Sequence, residues 1–582
     1  MSSSTDGIPP VDERRRTAPH LRWVGGEAGH RSFFGGTQSP TRVVGLALSI
    51  GGAMLWLILG GGVPALIVGL LGVSFIMVVT QRTHNGTIQE RRRKRARWAA
   101  RRRLGTDRFV PFTSAGWDQI QAAARSADKR ERRRAEVAAR QMRANPDGSD
   151  GMGWLQHGAN VPGIAWHAPV GEESYLSVAF SVSGQLRGME TAGALQRAAT
   201  SWGKFLAHCA APVSLVRGVQ TLTRVLPPDT AKHDIWYDRV REPRDAAAGS
   251  EELALYDAQQ SSYAEVRRRA AADAMVQRHF VVLSWPLTPA FLDSAAKYGS
   301  GRDGWRELMA EQIAASARDL REARMGQVSP LTARQTAALI MHQQNPSIPI
   351  DMRSSRHITP LAVGIGSYDE YSAHVVDGGY DPTVLREEDP IESAPAVTWW
   401  HRTAAIHGED LASAGRSPLW TLDLMIGREL GFIRSVSFHL DLVPASEAKA
   451  AARQDVVRDA AGLYAQRKKG VLVSDESEGL LSAAERRRRD LAAGSHHHGV
   501  AWIGYVTITA PTREELAQAS RRLQSVCDTG LGIDRLDWQD SFQSAASGTT
   551  WPIGRGLRPH SSSAGARLMS VLAGRGDKEA LS

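Results

Sequence analysis

Between Arg42 and Arg82 the chain carries no charged side chain, and Val43 to Val79 is nearly continuous Val, Ile, Leu, Ala, Met and Gly. One membrane span takes about 20 apolar residues, so the run is long enough for two. Gly60-Gly61-Gly62-Val63-Pro64 interrupts it at its middle, where glycines and a proline favour a turn. The pattern predicts a transmembrane α-hairpin with spans over 43–59 and 63–79. Further on the period changes. Trp117 to Arg143 reads as one long polar helix, and Gly148 to Gly158 as a linker by composition.

Tyr175 to Val182 alternates at period two and predicts a strand. Met189 to Cys209 has an amphipathic helical pattern, with Leu195, Ala199, Trp202, Phe205 and Leu206 on one face. Strands follow over Val213–Val225 and His279–Trp285, with helices over Glu251–Gln277, Arg302–Arg324 and Thr332–Gln343, the last capped by Thr332. Residues 345–395 are rich in Pro, Gly, Ser and Asp.

The alternation then resumes. Val397–Thr403, Leu419–Met425, Phe432–Val443, Gly499–Thr509 and Ile533–Trp538 predict strands. Ala445–Lys469, Ser482–Ala493 and Thr512–Cys527 predict helices. This order fits two α+β units of split βαβ type behind the membrane hairpin. The expected divisions are an N-terminal segment (1–42), the hairpin (43–80) and a basic helical linker (81–150). A first α+β domain (151–345), a linker or insertion (346–396), a second α+β domain (397–540) and a flexible tail (541–582) follow.

Charge sharpens the picture. The formal net charge is +10, but residues 82–143 hold 19 Lys/Arg against 6 Asp/Glu, a net +13. Residues 1–42 contribute +2, which leaves −5 for everything after 143. The basic character is therefore juxtamembrane. It flanks the apolar run on both sides, and basic flanks stay cytoplasmic, so both termini are expected inside a two-span cell-membrane protein. A cleaved secretory signal would need an apolar stretch in about the first 30 residues, and residues 1–42 are polar.

The contact residues expected on the exit from the membrane are Arg91, Arg92, Arg93, Lys94, Arg95, Arg97, Arg101, Arg102 and Arg103. Anionic lipid is one partner for them, at roughly 1 kcal/mol per charge near the surface. An acidic protein partner is another, and nucleic acid a third, although the aromatic interleaving of single-strand binders is missing. Trp98 reads as an interfacial anchor.

Catalytic chemistry finds little footing. A nucleotide-driven motor needs G-x-x-x-x-G-K-[ST], which the chain lacks. Gly203-Lys204-Phe205 falls in a predicted helix and has no hydroxyl after the lysine, and Gly574-Arg575-Gly576-Asp577-Lys578 lies in a polar tail. Asp423 and Asp441 would suit magnesium only beside such a loop. His496-His497-His498 does not converge as a zinc site does. No G-x-S-x-G elbow is present. Gly364-Ile365-Gly366-Ser367-Tyr368 lacks the strand-turn-helix setting of a dinucleotide site, and Trp399-Trp400 reads as a packing pair. Two cysteines, Cys209 and Cys527, exclude a disulfide framework and fit small core residues in a reducing compartment. No metal, cofactor or catalytic residue is expected.

Arg31-Ser32-Phe33-Phe34-Gly35-Gly36-Thr37-Gln38 before the apolar run, the basic exit, Tyr175-Leu176-Ser177-Val178, the helix from Leu195 to His208, and Leu430-Gly431-Phe432 leading into a strand together carry a resemblance. In this order of parts the chain resembles actinobacterial membrane proteins of conjugation-like, type IV secretion gene clusters. Those are similar to a two-span inner-membrane subunit joined to the non-motor N-terminal region of the secretion ATPase. The resemblance implies a non-enzymatic component that anchors a separate ATPase or couples it to the inner membrane, with other apparatus subunits as partners. A membrane-tethered nucleic-acid-binding protein using residues 82–143 is the competing expectation.

Overall fold

The computed structural model describes residues 40–80, 88–107, 109–169, 173–185, 191–229, 249–272, 274–346, 365–367, 374–377, 398–408, 421–426, 430–468, 499–533 and 536–556, with isolated positions at 233, 236, 237, 240, 411, 484, 485, 487–489 and 491. The apolar run is helical: α1 (Pro40–Trp56), a π turn at Leu57–Gly61, then α2 (Gly62–Thr80). Gly60, at φ 93°, leaves helical geometry inside the turn, a conformation open to glycine because it has no Cβ. The two arms touch. A Cβ built on Gly69 would fall 2.6 Å from Ala53 Cβ, and one on Gly45 3.0 Å from Ile76 Cδ1. As one segment, Gly45–Val78 covers 34 residues at mean hydropathy 2.2. Among the described residues it is the one helical segment long and apolar enough to cross a membrane.

The basic exit forms α3 (Ile88–Leu104). The long polar helix expected from Trp117 to Arg143 is two: α4 (Ser114–Ala124) and α5 (Lys129–Gln141). Asp128 breaks it by accepting a hydrogen bond from Arg130 N at 2.9 Å, an N-cap that starts a new helix instead of continuing the old one. A two-residue parallel pair, β1 (Val110–Pro111) and β2 (Met142–Arg143), brackets this helical pair.

The rest is α+β, built on one 12-stranded sheet. Its strands are β3 (Met152–Gln156), β4 (Ile164–His167), β5 (Tyr175–Val182), β6 (Gly218–Leu226), β7 (Val276–Pro286), β8 (Val328–Pro330), β9 (Ile365–Ser367), β10 (His374–Asp377), β11 (Thr398–Ile406), β12 (Ile433–Val443), β13 (Gly499–Ala510) and β14 (Asp537–Trp538). The order is β3-β4-β5-β7-β6-β12-β13-β11-β10-β9, with β8 added on β5 and β14 on β11, and every neighbouring pair in it is antiparallel. The middle is mirrored. Read outward from the β6–β12 seam, β6-β7-β5 answers β12-β13-β11, and each outer strand carries one short extra strand. The two expected α+β units therefore share a single sheet.

Helices α6 (Ala192–Cys209), α7 (Ser250–Ala272), α8 (Pro289–Ala296), α9 (Gly301–Glu322) and α10 (Ala333–Gln344) belong to the first half. The second half has α11 (Leu422–Ile426), α12 (Ala445–Lys468), α13 (Arg513–Val526) and α14 (Gln543–Ala546). One face of the sheet carries two apolar cores. Phe180, Val219, Leu283 and Trp285 pack with Phe205, Leu308, Met309 and Ile313. Val436, Val506 and Ile508 pack with Leu516, Leu523 and Cys527. Burying each such side chain contributes about 1.5–3 kcal/mol. Trp400 packs against the second core, as a packing pair should.

The opposite face is polar at the seam. The register sets Arg278, Arg224, Ser435, Thr507 and Thr403 in one row across β7, β6, β12, β13 and β11. Helix α10 and residues 541–556 cover this row, with Gln343 on Ser435, Gln543 on Thr403 and Thr550 on Thr507. Residues 541–556, expected as the start of a flexible tail, are instead a packed strap, with Ser541, Gln543, Thr549, Trp551 and Ile553 buried.

Three more readings change. A strand was expected over Leu419–Met425, but its described part enters the short helix α11, which buries Leu424 in the second core. The linker expected over Gly148–Gly158 contains β3, and Ser149 is fully buried. Residues 346–396 contribute β9 and β10 to the sheet edge. His496, His497 and His498 lie outside the described residues, as do 557–582.

Candidate functional site

Three segments far apart in sequence meet along α3: that helix, the loop at 145–151, and the strap. Lys94 and Arg101 stand seven residues apart, two helical turns, so both leave α3 on one face. Lys94 Nζ donates to Trp538 O at 2.7 Å. Arg101 donates to Ser541 O and Ser544 Oγ, each at 2.7 Å, to Thr106 O at 3.0 Å and to Asp147 Oδ2 at 3.1 Å. Its guanidinium also lies over the Phe542 ring, 5.5 Å from the centroid. Ser544 Oγ passes the contact on by donating to Asp147 Oδ2 at 2.9 Å, and Arg143 pairs with the other carboxylate oxygen. Burial lowers the Arg101 pKa and the Asp147 carboxylate opposes that shift.

Of the other expected contact residues, Arg92, Arg95, Arg102 and Arg103 are exposed and Arg97 is half-buried. The side chains of Arg91 and Arg93 lie outside the described residues. The structure thus separates the nine. Two of them hold α3 to the body, and four face outward.

The loop approaches the strap closely. Gly148, at φ 91°, would set a Cβ 3.0 Å from both Ala545 O and Gly548 Cα, so glycine is needed at this crossing. Arg555 closes the same corner on Asp150, with Nη2 to Oδ1 at 2.9 Å.

The strap is in turn fastened to the sheet. Gln220 Nε2 donates to Ser437 Oγ at 2.9 Å and to Trp551 O at 2.9 Å, and its Oε1 accepts from Gly554 N at 2.8 Å. Arg402 holds Asp540 through both oxygens, at 3.0 and 2.9 Å. Thr403 N donates to Gln543 Oε1 at 2.8 Å. His439 Nε2 faces Thr549 O at 2.8 Å, and a carbonyl only accepts, so Nε2 carries the proton. His401 Nε2 faces Gln344 O at 2.9 Å for the same reason, which leaves Nδ1 to accept from the Thr509 hydroxyl at 3.0 Å. Burial pushes both histidines down to about 4, and His167 down to about 3.

This arrangement fastens one part to another. His167 lies 2.9 Å from Ser177 Oγ, but both are buried to within 2 % exposure, closed to any substrate. Among the described residues no group of three His, Cys, Asp or Glu side chains could hold a metal ion. Cys209 and Cys527 are buried in the two cores, and burial pushes each thiol up to about 12, far from a nucleophile's range. Gly203-Lys204-Phe205 lies inside α6.

Sequence reasoning found Lys94 and Arg101 only as members of a charge run. It missed Asp147, Ser544, Gln220 and Asp540, since a lone polar residue in a Ser/Gly-rich stretch carries no periodic signal. A scan against protein-family models and a search of curated proteins give no match for the chain.

Proposed function

We propose that the chain is a non-enzymatic integral membrane component of a type IV secretion or conjugation-like apparatus, which anchors a separate ATPase or couples it to the inner membrane. In this reading α1 and α2 each cross the bilayer, both termini are cytoplasmic, and each half of the sheet is a split βαβ unit. One observation carries the coupling role: α3, the next described helix after the apolar segment, is keyed by Lys94 into β14 and by Arg101 into the strap, and the strap lies across the seam of the whole sheet. A displacement at the membrane would reach both halves of the body through side chains that are already engaged. The basic residues left outward on α3 suit anionic lipid.

The test is affinity capture of the detergent-extracted full chain from its native cells. Recovery of a secretion-type ATPase is expected, and the Arg101→Gln chain should bring down less of it. Repeated recovery of the chain alone overturns the reading.

The nucleic-acid reading keeps one specific support. Arg130, Arg132, Arg133 and Arg134 on α5 are all exposed. It requires filter binding that weakens steeply with salt as counterions are released, and binding that is absent or indifferent to salt removes it.

A further inference from the structure

Under the strap, where α10 meets the seam, lies a small polar cavity lined by Gln343, Gln344, His401, Ser435, Thr509 and Thr550, among others. The space open to the centre of a water is about 10 Å³, close to what one molecule needs. Two amide atoms here are buried with no partner among the described residues: Gln343 Oε1 and Gln344 Nε2.

The Gln343 amide cannot be turned round to remove the problem. Its Nε2 donates to Thr550 O at 2.6 Å and to Ser435 Oγ at 3.1 Å, and a backbone carbonyl can only accept. The acceptor Oε1 is therefore left unsatisfied, at a cost of about 1–3 kcal/mol if nothing meets it. Thr509 spends its proton on His401 Nδ1, so its oxygen can still accept.

We propose that this cavity is a built site for a single buried water, bridging α10 to the sheet beneath the strap. The water donates to Gln343 Oε1 and accepts from Gln344 Nε2, with Thr509 Oγ1 available for its second proton. The three groups thus offer the mix of donors and acceptors that water satisfies. Arg224 stands beside Ser435 in the polar row with its Nε and Nη1 also unpartnered among the described residues, so an oxyanion is the rival occupant. A cavity with room for one water's centre is too small for a phosphate or sulfate, and this decides between them.

The site lies on the route by which the strap is seated. Gln343 touches the strap at Thr550 and β12 at Ser435, so the water would keep that contact satisfied without a rigid packing match.

The test is a crystal structure of the full chain, wild type and Gln343→Met, at a resolution that shows ordered solvent. A single peak about 2.6–3.2 Å from Gln343 Oε1 is expected in the wild type, with the peak lost in the variant. An empty cavity, Oε1 bonded to protein, tetrahedral density of an oxyanion, or the same peak in Gln343→Met each overturns the proposal. If the variant does not fold, the wild-type density decides alone.

Discussion

Arg101 is 13 % exposed and gathers four hydrogen-bond acceptors around one guanidinium. Removing it leaves Asp147 half-paired and two strap groups without a donor. Arg101→Gln should therefore cost about 3 kcal/mol, the low end for breaking a buried pair, because part of the group still meets solvent. Arg101→Lys should recover little of this, since an ammonium cannot reproduce the planar fork. Urea unfolding of the detergent-solubilised chain measures both, and wild-type stability in Arg101→Gln would show the cluster to be incidental.

The buried histidines set a pH dependence. His401 and His439 are held down to about 4, below the ordinary 6.5. Between those values the unfolded chain binds protons that the folded one does not, so stability falls as pH drops from about 6.5 toward 4 and then levels. Each contributes on the order of 3 kcal/mol over that window. Unfolding midpoints measured between pH 7.5 and 4.5 should decline, and the decline should shrink in His439→Gln. A flat profile refutes the argument.

At the scale of elements the strap is the piece whose role sequence patterning concealed. Residues 541–556 are short of apolar residues and rich in Ser, Gly and Thr, which in a sequence reads as a tail. They are ordered because side chains on other elements bind their backbone: Gln220 holds Trp551 O, Gln343 and His439 hold Thr550 O and Thr549 O, and Arg101 holds Ser541 O. Its main apolar anchor is Trp551, 2 % exposed among Met152, Ala165, Ile340 and Ile553. Trp551→Ala should cost about 3–5 kcal/mol and free the strap locally. Limited proteolysis should then cut within 541–556 well before it attacks the sheet. Protection equal to wild type would mean that the polar contacts alone seat the strap.

For the whole molecule the proposed topology dictates how the body sits against the membrane. If both arms cross and both ends are inside, a single cysteine at Gly61 should react with an impermeant thiol reagent on intact cells. One at the exposed Thr529 should react only after lysis. Both probes need no change at Cys209 and Cys527, which are buried. Labelling of Thr529→Cys in intact cells would place the sheet outside and overturn the proposed topology. The strand order matters here too: with the two halves on one continuous sheet, a force delivered through α3 and the strap acts at the seam where β6 meets β12.

By itself the sequence determined the elements whose period is written locally. The apolar run and its glycine break, β5, β7, β12 and β13, and helices α6, α9, α10, α12 and α13 all fall where period-two or helical patterning put them, with Thr332 and Thr512 as the expected caps. The basic run was legible in the charge count, and the burial of both cysteines in there being only two of them. Only the tertiary structure decided the rest. β3, β9 and β10 are 5 residues or fewer, too short for a periodic signal, and exist because a neighbouring strand offers hydrogen bonds, while β14 keeps only the end of the strand expected over Ile533–Trp538. The polar seam, the strap and the choice of Lys94 and Arg101 from among nine basic residues depend on which distant groups meet. Arg101 differs from Arg102 and Arg103 only in the direction it leaves the helix, and that direction matters only once Asp147 and Ser544 stand in front of it.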